Sequence, residues 1–90
     1  MVGMKILMRK VKMIFWTDEN GRITPIRFLM RQEDESVVKV GSIRIVERKE
    51  EKLAGNRMLI FVCQSVIGGV ERVFELKYEM TTCRWFLYKM

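Results

Sequence analysis

A chain of ninety residues, 49% hydrophobic and 31% charged with a single proline, fits one packed domain over residues 1–90. It excludes a second independent core and argues against a disordered chain. The formal charge of +6 directs attention to anionic partners such as nucleic acid or an acidic membrane surface, although the interspersed acidic residues also fit a plain solvated basic surface. No apolar run approaches the roughly twenty residues of a helical membrane span, so no membrane partner is expected.

Period-two alternation dominates the chain and sustained helical spacing is absent, which predicts an all-β fold. The first strand is expected over Lys5 to Trp16 and ends at TDENGR, where Asn20-Gly21 is a strong hairpin signal. The second, about Arg22 to Arg31, carries Ile26, Phe28 and Met30 on one face and Arg27, Leu29 and Arg31 on the other. Pro25 lacks an N–H and suits an edge, a strand start or a bulge.

After the polar turn Gln32 to Ser36, a third strand spans about Val37 to Arg48, with Gly41-Ser42 inviting a bend where the sheet curls. Lys49 to Asn56, the densest run of charge, reads as a loop with room for one helical turn. The fourth strand, about Arg57 to Val66, contains the apolar run Met58 to Cys63 and belongs in a central position. Gly68-Gly69 closes the next turn.

The fifth strand directs Phe74, Leu76, Tyr78 and Met80 to one side and Glu71, Glu75, Lys77 and Glu79 to the other. Arg72 falls among the inward positions, where a strand end allows its guanidinium to snorkel outward. Thr81 to Arg84 turns the chain into a last strand, Trp85 to Met90, with Trp85 and Leu87 packing inward and Phe86 and Tyr88 forming an exposed aromatic patch. Six antiparallel strands in a meander predict a small curled sheet or an SH3-like barrel, the barrel being favoured because closure removes exposed edges.

The chain has no histidine, which removes the commonest general base and metal ligand. Cys63 and Cys83 lack metal-binding spacing, and both are expected as buried thiols. Carboxylates gather in turns, without the alternating oxygen ligands of a calcium loop. No enzyme activity, metal or cofactor is therefore expected. Lys5, Arg9, Lys10 and Lys12 interrupt the apolar start in a way that a secretory signal does not, and a cytoplasmic location is expected.

The cations Arg9, Lys10, Lys12, Arg22, Arg27, Arg31 and Arg72 are the candidate anion-binding or nucleic-acid-binding residues, with Phe86 and Tyr88 as the aromatic patch beside them. Two readings stand together: a non-catalytic, nucleic-acid-associated module, and a protein-interaction or homo-oligomerisation module that pairs through strand edges.

GRITPIRF at Gly21 to Phe28, IVERKEE at Ile45 to Glu51 and VFELKYEMTTCRWFLYKM at Val73 to Met90 give the chain a resemblance. It resembles a small bacterial domain family of unknown function, found alone or appended to error-prone DNA polymerase-like proteins. The resemblance implies an all-β module without known enzymatic activity and points toward nucleic acid. Lys49 stands where that family usually has tryptophan, so no role is carried over at that position.

Overall fold

Alternating side chains and short turns produce seven strands among the described residues of the computed structural model, which are residues 4–90. Residues 1–3 of the one-domain reading lie outside them. The strands are β1 (Ile6–Thr17), β2 (Ile23–Arg31), β3 (Val37–Val40), β4 (Arg44–Leu53), β5 (Asn56–Ile67), β6 (Val70–Glu79) and β7 (Arg84–Lys89). They form one antiparallel sheet in the order β3-β2-β1-β7-β6-β5-β4.

The turns explain this connectivity. β4 and β5 meet through Ala54-Gly55, and β5 and β6 through Gly68-Gly69, each a two-residue loop with positive φ at both positions. Such loops match the twist of the strands they join. In the β1–β2 turn, Asp18 Oδ1 accepts hydrogen bonds from the backbone N–H groups of Asn20 (2.9 Å) and Arg22 (2.8 Å).

Three expectations are corrected here. The run Lys49 to Asn56 is not a loop: β4 continues to Leu53 and pairs with β5 as far as Leu53 opposite Asn56. Its charges are those of an edge strand, which charge protects against pairing with other chains. The expected third strand is two, β3 and β4, broken at Gly41, Ser42 and Ile43, with Ser42 at φ 50°. Ile26 does not join Phe28 and Met30, because the β1–β2 register slips between Ile14 and Phe15 and sets Pro25 opposite Phe15. Pro25 is buried in its place and Ile26 is exposed. A register slip tolerates a residue without an N–H.

The sheet curls but does not close into the barrel, since β3 pairs only with β2, and β4 only with β5. Curling is visible in contacts between strands far apart in the sheet order. Phe28 on β2 meets Phe74 on β6 edge-on at 5.7 Å, and Phe15 on β1 meets Tyr78 on β6 at 5.8 Å. Arg48 on β4 donates to the Ile23 carbonyl (2.7 Å) and to Thr24 Oγ1 (3.1 Å) on β2. The Ser65 hydroxyl on β5 donates to the Gly41 carbonyl at the β3–β4 corner.

The core fills the inside of the curl. Phe61, Cys63, Phe74, Leu76, Tyr78, Trp85 and Leu87 are buried there, in cross-strand rows set by Phe61 and Leu87 opposite Leu76 and by Trp85 opposite Tyr78. The Trp85 ring lies 4.9 Å from Tyr78 and 5.4 Å from both Phe61 and Phe15. Tilted pairs at these separations add about 0.5–1.5 kcal/mol each beyond their burial. Trp85 and Leu87 thus occupy the inward positions that alternation assigns them.

The cysteines divide. Cys63 is buried, and desolvation pushes its thiol up to about 12, against a smaller opposing effect of the Arg48 charge. Cys83 is exposed, which corrects the expectation of two buried thiols. Its position is in the turn before β7, at φ 58°, and not on a strand.

Two outcomes follow from this packing. Leu87→Ala, at a position 0% exposed, is expected to cost about 2–5 kcal/mol in chemical denaturation, as buried leucines do. A loss below about 1 kcal/mol, the range of ordinary surface changes, would contradict its placement. With a thiol-specific disulfide reagent at mildly alkaline pH, Cys83 is expected to react rapidly in the folded protein and Cys63 only after denaturation. Two fast thiols would overturn that assignment.

Candidate functional site

Alternation along β1 turns Leu7, Arg9, Val11 and Met13 toward the core side, half-buried, and leaves Met8, Lys10, Lys12 and Ile14 exposed on the outer side. Pairing with β2 and β3 then extends that outer surface. Lys12, Leu29 and Lys39 form one cross-strand row, with Ile14 opposite Arg27 on one side and Arg31 opposite Val37 on the other. All seven of these side chains are exposed, as is Lys10.

The chemistry of this face is one-signed. The sequences of β1, β2 and β3 contain six Lys or Arg residues and no Asp or Glu. Five of the six, Lys10, Lys12, Arg27, Arg31 and Lys39, belong to the outer face; Arg9 is turned the other way. The nearest acidic partner is Glu35, 3.8 Å from the Arg31 guanidinium, with both side chains largely in solvent. Such a pair is worth at most about 1 kcal/mol and leaves the arginine free to exchange partners.

Between the cations lie apolar hollows. One of 280 Å³ is lined by Lys12, Ile14, Arg27, Phe28, Leu29 and Lys39, and an adjoining one of 180 Å³ by Lys10, Lys12, Leu29, Arg31 and Val37. Trp16, opposite Thr24 near the end of β1, is 57% exposed.

The structure thus brings together Lys10, Lys12, Arg27 and Arg31 from the sequence candidates and separates the others. Arg9 stands opposite Leu87 on the core side and lines a cleft at the sheet end with Leu7, Met30 and Met90. Arg22 lies in the β1–β2 turn, beside the gap between β2 and β4. Arg72 pairs with Ser65 near the β5–β6 turn and is exposed. Lys39 completes the face although sequence reasoning did not single it out. It is the one polar residue of the short VVKV strand, and only the β2–β3 register sets it beside Leu29.

The exposed aromatic patch of Phe86 and Tyr88 is corrected. Phe86 does face outward, but it is only 9% exposed. β7 is central, and the cross-strand neighbours of Phe86 are Lys10 and Lys77, whose long stems can cover the ring. Tyr88 is half-buried, with the Lys77 ammonium 3.7 Å and the Lys89 ammonium 5.2 Å from its ring centre. Lys77 is itself only 7% exposed and is held 3.1 Å from the Glu51 carboxylate. This outer surface is a clamp across β4, β6 and β7, with Lys77 paired to Glu51. Phe86→Ser is therefore expected to destabilise the fold by about 1.5–3 kcal/mol, the value of a buried phenylalanine ring. A variant as stable as the parent in urea denaturation would restore the exposed patch.

Comparison with known proteins adds no relative: no family model, no curated protein and no solved structure matches the chain.

Proposed function

We propose that this protein is a small non-catalytic module that binds single-stranded nucleic acid on the outer face of β1, β2 and β3. The observation that carries the proposal is the gathering of Lys10, Lys12, Arg27, Arg31 and Lys39 on one face whose strands hold no carboxylate. Phosphates supply the matching charge and release counterions on binding. The apolar ground between the cations, Ile14, Leu29 and Val37, together with the exposed Trp16, favours a single strand over a duplex. Unpaired bases can stack on aromatic and apolar surface, whereas a duplex offers it only backbone. The resemblance to a domain appended to polymerase-like proteins points the same way.

Self-association through the β4 edge is the weaker reading. An antiparallel pairing of two β4 strands about a two-fold axis sets one residue opposite its own copy. Every residue from Glu47 to Lys52 is charged, so each such register centred there opposes like charges, which is unfavourable.

Fluorescence anisotropy with a labelled single-stranded oligonucleotide tests the proposal. Binding is expected at low salt, with log K falling against log salt at a slope of up to about −3.5 for five phosphate contacts. The double variant Lys12→Glu with Lys39→Glu is expected to weaken binding by more than about tenfold, since each reversal turns a phosphate contact into a repulsion, while thermal stability stays near that of the parent. No binding at low salt, or parent-like binding by the double variant, would sink the proposal.

A further inference from the structure

The incomplete closure of the sheet leaves a slot with its own chemistry. β3 pairs only with the Phe28–Arg31 part of β2, so the Ile23 end of β2 has no strand on the side away from β1, and β4 across the gap pairs only with β5. The resulting cavity, 450 Å³, is lined among others by Arg22, Ile23, Arg48, Leu59, Phe61 and Met80. That volume lies within the usual range of small-ligand sites.

Its floor and rim differ in character. Leu59 and Met80 supply apolar surface, and the Arg48 guanidinium stands 5.3 Å from the centre of the Phe61 ring, which is buried at 2% exposure. The guanidinium, which lines the cavity, presents a flat surface for a planar group. The rim is cationic, with Arg22, Arg48 and Lys49. Arg48 donates one N–H to Ile23 and another to Thr24, which leaves three of the five donors of a guanidinium.

No carboxylate neutralises the arginines. Glu50 lines the slot but accepts from Arg57 Nε at 2.6 Å. Asp18 is engaged by the backbone of its own turn. Lys49 has Glu47 at 3.7 Å, both about half in solvent. Among the described residues neither Arg22 nor Arg48 has a carboxylate within salt-bridge distance. Arg48 feels first its own desolvation and then the positive charge of Arg22, both of which lower its pKa, against smaller opposing effects of Cys63 and of the Asp18 carboxylate. An arginine remains protonated under such shifts, so two like charges face one cavity with no carboxylate in contact with either.

We infer that this slot is a binding site for a phosphate monoester carried on a planar ring, of the nucleoside monophosphate class. The ring lies against the Arg48 guanidinium and the Leu59 and Met80 side chains, and the phosphate is received by Arg22 and Arg48 at the rim. This site is separate from the outer face of β1 to β3 and does not depend on it. The same chemical group exists in a free nucleotide and at a phosphorylated end of a strand, so both sources fit the slot.

Calorimetric titration with AMP, adenosine and inorganic phosphate provides the test on the intact protein. AMP is expected to bind saturably and at least about tenfold more tightly than either fragment, the usual value of a charge-assisted contact to phosphate. Arg22→Ala, which alters an exposed turn side chain, is expected to weaken AMP by about the same factor and leave adenosine unchanged. The Lys12→Glu, Lys39→Glu variant is expected to bind AMP as the parent does, which separates failure of this site from failure of the strand-binding face. Adenosine binding as tightly as AMP, an unaffected Arg22→Ala, or no saturation at millimolar AMP would each overturn the inference. Competition assigns the source: displacement of AMP by a 5′-phosphorylated oligonucleotide but not by its 5′-hydroxyl counterpart supports a strand end, and equal behaviour of the two supports the free nucleotide.

Discussion

The three residues Gly41, Ser42 and Ile43 connect the two opposite edges of the sheet, and this connection dictates the rest of the molecule. In a flat sheet of seven strands the edges stand six spacings apart, roughly 29 Å. The chain from Val40 to Arg44 reaches at most about 14 Å when fully extended. The sheet is therefore forced to curl until its edges approach. Six antiparallel steps separate β3 from β4, so both run in the same sense, and the chain passes forward from one edge to the other without reversing. Ser42 at φ 50° makes the corner, and the Ser65 hydroxyl donates to the carbonyl of Gly41 beside it.

Curling creates an inside and an outside with different demands. The inside of a ninety-residue domain has little volume, and it is filled by rings: Phe61, Tyr78 and Trp85 form one group with Phe15 at its exposed margin, and Phe28 and Phe74 meet edge-on as a separate pair. The outside divides into two halves. On β4 to β7 the β4 carboxylates pair with cations, Glu47 with Lys49, Glu51 with Lys77 and, at the slot, Glu50 with Arg57. On β1 to β3 the cations have no carboxylate on their own strands. The outer face of β1 to β3 is thus one-signed, and a one-signed face has the field to attract a polyanion.

Much of the fold was legible because its signals are local. Alternation from Val73 to Glu79 marks the core row of β6, and the glycine pair before Val70 marks the hairpin that aligns it with β5. The departures arise where neighbours override local pattern. Lys49 to Leu53 has the composition of a loop, yet it is an edge strand paired along its length with the central β5. Phe86 follows the outward phase as expected, but its exposure depends on Lys10 and Lys77 in adjacent strands, which no reading along the chain reveals. The candidate face was half legible for the same reason. The cations of β1 and β2 are evident in sequence, whereas Lys39 and the rejection of Arg9 require the register.

Trp16 joins these strands of argument. A chain this small has reason to bury every ring it carries, since a fully buried aromatic side chain contributes about 1.5–3 kcal/mol. Phe15, next to it, does so only in part: it lies against Tyr78 and Trp85 and stays 37% exposed. Strict alternation then leaves Trp16 on the other side, where it is the most exposed ring of the chain's aromatic residues named in the core and the two surfaces. The β1–β2 register, which slips at Ile14 and Phe15, sets it opposite Thr24 beyond the Ile14 and Arg27 pair, at the end of the basic face that lies toward the slot. On the proposed reading, a ring held in water beside the cations of that face gives up burial and gains a surface on which an unpaired base stacks.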